Sequence, residues 1–291
     1  LKTTKTIVIC SGKGGVGKSM ISSTLAKLFS DEKKIVAVDA DVDAPNLHLW
    51  LGERENWDEK KKVSAIEKAT IVKQPSKSEI KKNIGICQFG ALDVIDGKLT
   101  VNRFFCEGCG ACQAVFPPKT IDISPVISGE IRLKKNVFGF PLVSAQLYPG
   151  QTGSGKIVDM IRRKAEGYKS DYMIIDAPAG MGCPVIAALN NVDFALLVTE
   201  PTPSGFADLK RIHFLVDHFK IPFGVVVNKH DLNQKQTGKI ESWAKDNVLG
   251  KIDYDQNIFK AITSMTPIFK TNLPAKKQIE IIYKKLLRKL K

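Results

Sequence analysis

The chain has 291 residues, 43% hydrophobic and 25% charged, the balance of a soluble globular protein with one large domain or a domain carrying an insert. No run of about 18 apolar residues occurs, which excludes a membrane-spanning helix, and LKTTKTIVICSGKGG enters a motif directly rather than reading as a signal peptide, so a cytoplasmic protein is expected. The net charge of +14 is almost all lysine spread along the chain, which predicts a solvated basic surface, with a membrane or nucleic-acid surface as partner left as the alternative.

KTIVICSGKGGVGKSMISSTLAKLF reads as a buried strand over Ile7 to Cys10, a glycine loop, and a helix beginning near Lys18. Two phosphate-binding fingerprints overlap in the loop. Gly12, Gly14 and Gly17 satisfy G-x-G-x-x-G, whereas Gly12 through Lys18 and Ser19 satisfies the longer G-x-x-x-x-G-K-S. The longer pattern explains more residues. Glycines let successive N–H groups turn inward as an anion nest at a helix N-terminus, the lysine reaches the terminal phosphates, and the serine hydroxyl ligates Mg²⁺. A dinucleotide site needs no Lys-Ser pair. The expected ligand is ATP or ADP with Mg²⁺, cradled by Gly12, Lys13, Gly14, Gly15, Val16, Gly17, Lys18, Ser19 and Met20.

The next strand, in KKIVAVDADVDAPNLH, ends in Asp39 and Asp41. Acids at the C-terminal end of a parallel strand face the ligand crevice of an open α/β sheet. Asp41 is the candidate ligand-facing acid, and Asp39 is expected to be structural.

Between about residues 64 and 136 the strand–helix alternation stops. CEGCGACQAVFPP places Cys106, Cys109 and Cys112 in the C-x2-C-x2-C spacing of a cubane cluster, but Phe116 stands where a bacterial ferredoxin run has its fourth cysteine. Six cysteines in a chain of this size suit metal or redox chemistry in a reducing compartment better than a disulfide framework. Upstream, ICQFGALDV resembles the end of a second run, with Cys87 in its fourth position. Counting back puts that run's first three ligand positions at Lys77, Ile80 and Asn83.

In two-cluster ferredoxins the fourth cysteine of each run serves the other cluster. One site would need Lys77, Ile80, Asn83 and Phe116, none of them a ligand. The other would need Cys87, Cys106, Cys109 and Cys112, all of them cysteine. One 4Fe–4S cluster on those four cysteines is expected, with a structural zinc ion or an empty vestigial fold as alternatives.

GQTGSGKI, from Gly150 to Ile157, also fits G-x-x-x-x-G-K, but Ile157 offers no hydroxyl to Mg²⁺, and a structural or interface loop is expected there. DYMIIDAPAGMGCPV gives an apolar strand, then Asp176 as the Walker B acid acting on Mg²⁺ through water, then Gly180 in a loop able to respond to a γ-phosphate. FGVVVNKHDL ends a strand at Asn228 and Lys229, and VTEPTPSG supplies another strand-end loop near the base. His48, His213, His218 and His230 have no ligand spacing. In KKQIEIIYKKLLRKLK, Ile279, Ile282, Leu286 and Leu290 form a stripe expected to close the domain against the sheet, with membrane binding as the alternative. The whole pattern predicts an α/β fold: a doubly wound, mostly parallel sheet over 1–63 and 137–291, interrupted by a ferredoxin-like α+β insert over 64–136.

With Lys13, the loop reads K-G-G-x-G-K-S, which resembles the deviant P-loop of the MinD/ParA superfamily, the class related to the nitrogenase iron protein. DADVDAPNLHLWL, GMGCPVIAAL and TEPTPSGFADL extend the resemblance over nearly the whole chain, to members carrying an inserted ferredoxin domain. The resemblance implies an ATP-sandwich homodimer in which Lys13 crosses to the partner's nucleotide. It places Asp41 in a first switch, holding Mg²⁺ or orienting the attacking water, and Asn228 at the adenine. Lys13, Lys18 and Asp41 are thus the expected catalytic set, with Ser19, Asp41 and Asp176 around Mg²⁺. Cys183 lies seven residues after Asp176, the offset of a cluster cysteine in the nitrogenase iron protein, but without an obvious second cysteine a packing role is expected, with a redox or exchange role as the alternative.

Ala179 replaces a second proline usual in the family, and the missing first cluster is a further departure. The implied function is ATP hydrolysis coupled to one 4Fe–4S cluster for electron transfer to a redox partner protein. The alternatives are an ATP-dependent scaffold or carrier passing clusters to an accepting protein, and a MinD-like positioning ATPase whose cluster is structural.

Overall fold

Runs of β-branched and small apolar residues recur along the chain, and each becomes a buried strand: Ile7–Cys10, Ile35–Val38, Phe194–Val198 and Val225–Val227 are all 0–3% exposed. Strands covered on both faces have no polar side to show, so their hydropathy is continuous rather than alternating.

The computed structural model describes residues 4–290. In chain order the elements are β1 (Lys5–Ser11), α1 (Lys18–Ser30), β2 (Ile35–Asp39), α2 (Leu47–Trp50), β3 (Glu59–Val63), β4 (Ile66–Ile71), α3 (Lys77–Asn83), β5 (Leu92–Ile95), β6 (Lys98–Val101), α4 (Ala111–Val115) and β7 (Ile121–Val126). There follow β8 (Gly129–Lys135), β9 (Pro141–Leu147), α5 (Ser154–Glu166), β10 (Tyr172–Ala179), α6 (Cys183–Leu189), β11 (Phe194–Thr199), α7 (Pro203–His218), β12 (Phe223–Asn228), α8 (Gln234–Ala244), β13 (Val248–Ile252), α9 (Gln256–Thr263) and α10 (Pro274–Lys289). They divide into two compact units.

The first unit comprises the chain up to Lys61, Ile131–Gln146, and the chain from Ser154 onward. Its sheet has the order β13-β12-β11-β1-β10-β2-β9-β8-β3, and every pairing from β13 to β9 is parallel. Parallel strands bring their C-terminal ends to one edge, where ligands bind in such sheets. Asp176 stands there in register with Asp39 on one side and Ile9 on the other.

Beneath that edge, α1 buries Met20, Ile21, Leu25 and Phe29 in the same cluster as Ile279, Ile282, Tyr283 and Leu286 of α10. Gly250 lets α10 come this close, since a Cβ there would stand 2.4 Å from Ile282 Cγ1. Each large apolar side chain so buried stabilises the fold by about 1.5–3 kcal/mol. The C-terminal stripe therefore closes the domain, leaving Lys277, Lys284, Lys285 and Lys289 exposed. Among the described residues no helix is long and apolar enough to cross a membrane.

The second unit comprises Lys62–Glu130 and Leu147–Gly153. β4 pairs antiparallel with β7, and β5 with β6, so a β-α-β-β-α-β chain joins its outer strands to each other and its inner strands to each other. α3 starts at a capping box between Ser76 and Glu79. Ile80, Leu99, Phe116 and Ile121 pack with Ala69, Ala91, Cys106 and Cys112 in one small core. Leu147–Gly153 belongs to this unit, although the sequence pattern sets it outside the insert. Its glycines are the reason: a Cβ at Gly153 would stand 2.7 Å from Ile66 and one at Gly150 2.8 Å from Phe104.

Candidate functional site

The phosphate loop joins β1 to α1, and two of its glycines are required by contact. A Cβ at Gly12 would stand 2.3 Å from the Asp208 carbonyl oxygen on α7. Gly17 has φ +93° and faces Asn228, whose Nδ2 would lie 2.4 Å from a Cβ there. That amide donates to the Val16 carbonyl at 2.8 Å, so Asn228 braces the loop from beneath while also lining the cleft above it. Ser11 Oγ donates to the Lys13 carbonyl at 2.6 Å. Val16 and Met20 anchor the loop and the first turn of α1 in the core.

A cleft of 570 Å³ opens over this loop, lined by Gly14, Gly15, Gly17, Lys18, Ser19, Met20, Asp41, Asn228 and Lys229. The structure brings these expected residues together. It adds Asp253, Tyr254, Asp255 and Phe259, from the end of β13 and the start of α9, which the sequence reading missed. The signal was available: IDYDQN ends the last strand of the series, and strand ends line such crevices.

Three acids stand at the edge. Burial pushes Asp41 up while Lys18 pulls it down. Burial drives Asp176 up to about 6, against Lys18 and hydrogen bonds from Ser19 and Ser22, the latter 2.8 Å long. Asp39 is fully buried and raised by that burial and by the neighbouring Asp176. Its oxygens accept from the backbone N–H groups of Leu47 at 2.9 Å and Asp41 at 3.3 Å, so it pins the loop that carries Asp41. Asp41 and Asp176, the two acids that Lys18 pulls down, form with the Ser19 hydroxyl a set of hard oxygen donors suited to Mg²⁺.

Lys13 points to Glu200, at the end of β11, with Nζ 2.5 Å from Oε1. Lys229 Nζ lies 3.4 Å from the other carboxylate oxygen and 3.4 Å from the Gly15 carbonyl. Glu200 lies in the VTEPTPSG loop, but nothing in its type or spacing singles it out in the sequence.

In the second unit, Cys87, Cys106, Cys109 and Cys112 line one void, together with Phe89, Glu107 and Gly108. Gly108 sits between the first two cysteines of the triplet at φ +66°, where a Cβ would stand 2.1 Å from the Glu67 carbonyl oxygen. Backbone N–H groups of Ala69 and Ala91 donate to Cys106 Sγ at 3.3 Å and Cys87 Sγ at 3.2 Å. Cys106 and Cys112 are buried, and Cys109 is exposed. Among the described residues no three Cys, His, Asp or Glu side chains close to the spacing one metal ion requires; the four cysteines border a space rather than converge on a point.

Of the two remaining cysteines, Cys10 is buried in β1, where burial pushes its thiol up to about 12 and makes it inert. Cys183 is exposed at the start of α6, against Gly155.

A profile of the CobQ/CobB/MinD/ParA nucleotide-binding domain matches residues 7–268. An uncharacterized protein of Methanocaldococcus jannaschii is 36% identical over 280 residues, 96% of this chain and 95% of that protein. The septum site-determining protein MinD of Helicobacter pylori is 24% identical, over 97% of this chain and 90% of its own length. Among solved structures, MinD of Pyrococcus horikoshii complexed with Mg-ADP superposes with a TM-score of 0.61 at 17% identity, covering 97% of this chain and 96% of that one. That likeness establishes the fold.

Proposed function

The chain belongs to the CobQ/CobB/MinD/ParA nucleotide-binding family, and from that premise we propose an ATPase whose nucleotide switch is coupled to one 4Fe–4S cluster for electron transfer to a partner protein. It is an ATP-binding, MinD/ParA-like ATPase. The coupled cluster, the ferredoxin-like insert that carries it and the homodimer are the proposal.

The nucleotide half follows from the chain's own groups. Backbone N–H groups of Gly14 to Lys18 would face the phosphates at the N-terminus of α1, and Lys18 adds a cation whose charge acts on Asp41 and Asp176. Ser19, Asp41 and Asp176 would hold Mg²⁺, which supplies Lewis-acid neutralisation of phosphate charge. Asp41 rides on the loop pinned by Asp39, so a shift of that loop moves an acid at the phosphates. Lys13 is the residue offered to a second chain's nucleotide.

The observation that supports the cluster is that Cys87, from outside the triplet, lines the same small space, about 20 Å³, as Cys106, Cys109 and Cys112. Those cysteines would hold the cluster, which supplies one-electron chemistry. The C-x2-C-x2-C spacing favours a cubane over the paired knuckles of a zinc site, and two of the thiols accept backbone N–H bonds of the kind that tune cluster sulfurs. The β-α-β-β-α-β order of the unit supports a ferredoxin-like insert. Ile80 and Phe116, in the ligand positions of the other site, are only 6% and 4% exposed within the unit's core, which supports a single cluster.

The test is anaerobic purification of wild type and Cys87→Ser, with iron, acid-labile sulfide and the dithionite-reduced EPR spectrum as readouts. About four irons per chain and a reducible signal, both diminished by the substitution, are expected. Zinc or metal-free protein sinks the redox reading. The second reading, a positioning ATPase with a structural cluster, is favoured by the likeness to MinD, and would appear as ATP-dependent vesicle binding that survives Cys87→Ser.

A further inference from the structure

We propose that Glu200 is a positioning residue for the interface lysine: its carboxylate holds Lys13 on its own protomer until nucleotide competes for that lysine, and so sets the nucleotide concentration at which two chains close. The inference rests on the homodimer reading above.

Three contacts carry it. Glu200 Oε1 accepts from Lys13 Nζ at 2.5 Å, and Oε2 lies 3.4 Å from Lys229 Nζ, which also reaches the Gly15 carbonyl at 3.4 Å. One carboxylate thus ties the phosphate loop to the strand end after β12. Burial alone would raise Glu200, yet the bond from Lys13 and the charge of Lys229 hold it below the ordinary carboxylate value, so it is an anion at neutral pH.

The two partners differ in how they are held. Glu200 sits on a fastened turn. Thr199 Oγ1 donates to the Gly205 carbonyl at 2.9 Å, Thr202 Oγ1 caps α7 by accepting from the Gly205 N–H at 2.9 Å, and a Cβ at Gly205 would stand 2.5 Å from the Glu200 carbonyl oxygen. Lys13 is fixed by its backbone through Ser11, while its side chain is 31% exposed and, among the described residues, ends on Glu200. The carboxylate is therefore the fixed post and the ammonium the moving end.

An ammonium in a short charge-assisted bond to Glu200 is not simultaneously available to a phosphate on another chain. A bound triphosphate adds a competing anion beside Lys13 and Lys229, and two lysines on one carboxylate leave a net positive charge to receive it. Release from Glu200 is then a step that closure must include. Its cost is a differential free energy between the open and closed states, which is what sets a switching threshold.

Two measurements test this separately. In nucleotide-free protein, acylation of Lys13 by a limiting amine-reactive ester, read by peptide mass spectrometry, is expected to be about 5-fold faster in Glu200→Gln, because the amine is released from the charge-assisted bond that occupies it. In sedimentation velocity with a non-hydrolysable ATP analogue, Glu200→Gln is expected to dimerise at an analogue concentration about 5-fold lower than wild type, and the difference should vanish when both chains also carry Lys13→Ala. Glu200→Asp, charged but shorter, should fall between.

Equal acylation of Lys13 in wild type and Glu200→Gln overturns the proposal. So does dimerisation of the variant at an equal or higher analogue concentration, or a shift that persists with Lys13→Ala. Faster acylation with neither protein dimerising would leave the hold on Lys13 standing and bring down the homodimer reading instead.

Discussion

Asp176→Asn is expected to stabilise the ligand-free protein while disabling it. Burial lifts the Asp176 carboxyl from 3.8 to about 6 despite Lys18 and the serine hydroxyls. A carboxyl whose folded value lies above its unfolded one costs stability wherever it is ionised. Stability is greatest below 3.8, falls as the pH rises through the window up to about 6, and is level above it. A shift of that size costs the folded state about 3 kcal/mol at alkaline pH, and about half of that near pH 5.

Asparagine keeps one oxygen acceptor, so Ser22 retains its 2.8 Å bond while Ser19 loses a partner, returning about 1 kcal/mol. Lys18 also loses one of two carboxylate neighbours, whereas Asp39, in register beside it, is relieved of a like charge. The net expectation is a gain of roughly 1–2 kcal/mol near pH 8 that shrinks toward zero near pH 5. Urea unfolding of ligand-free protein at both pH values, with an unchanged slope, reads it as a shift in midpoint. Mg²⁺-dependent ATPase activity should fall by about 10²-fold or more. Destabilisation by the same amount at both pH values would refute a buried charge as the source of the effect.

Gly12→Ala drives a Cβ to 2.3 Å from the Asp208 carbonyl oxygen; neither backbone yields, so a loss of about 3 kcal/mol and of ATP binding is expected from melting and nucleotide titration. Ile282→Ala removes a fully buried α10 side chain and should cost about 2–5 kcal/mol by chemical denaturation; a change within error would mean that α10 is not clamped to the sheet. Cys183→Ser should leave iron content unchanged, whereas Cys109→Ser should lower it, by elemental analysis under argon. The reverse pattern would move the ligand set to the first unit.

The nucleotide site was legible because each of its requirements is local. Gly12 to Ser19 carry the phosphate cradle in eight consecutive positions, and Asp39, Asp41, Asp176 and Asn228 each mark the end of an apolar run. A strand end is a place in the sheet, so a period-free apolar run followed by an acid reads directly as a position at the crevice. Glu200 was not legible, because its role lies in a 2.5 Å contact with a lysine 187 residues away. Asn228 was legible as a polar strand end, but its bond to the Val16 carbonyl was not. Leu147–Gly153 escaped the sequence boundaries for a similar reason. Its glycines serve packing against Ile66 and Phe104, and close packing leaves no periodic signature.

The second unit sets the two ligand sets of the sequence reading side by side. Four ligand positions of one ferredoxin-type site carry Lys77, Ile80, Asn83 and Phe116. The two apolar replacements are buried beside Leu99 and Ile121, and Asn83 Nδ2 donates to the Val115 carbonyl at 3.2 Å. Burial of Ile80 and Phe116 contributes about 1.5–3 kcal/mol each. In the opposite set Cys106 and Cys112 join the same core, all four cysteines line one small space, and Cys106 and Cys87 accept N–H bonds from Ala69 and Ala91. That Ile80 and Phe116 belong to the core while Cys87, Cys106, Cys109 and Cys112 line one small space is what the single-cluster proposal rests on.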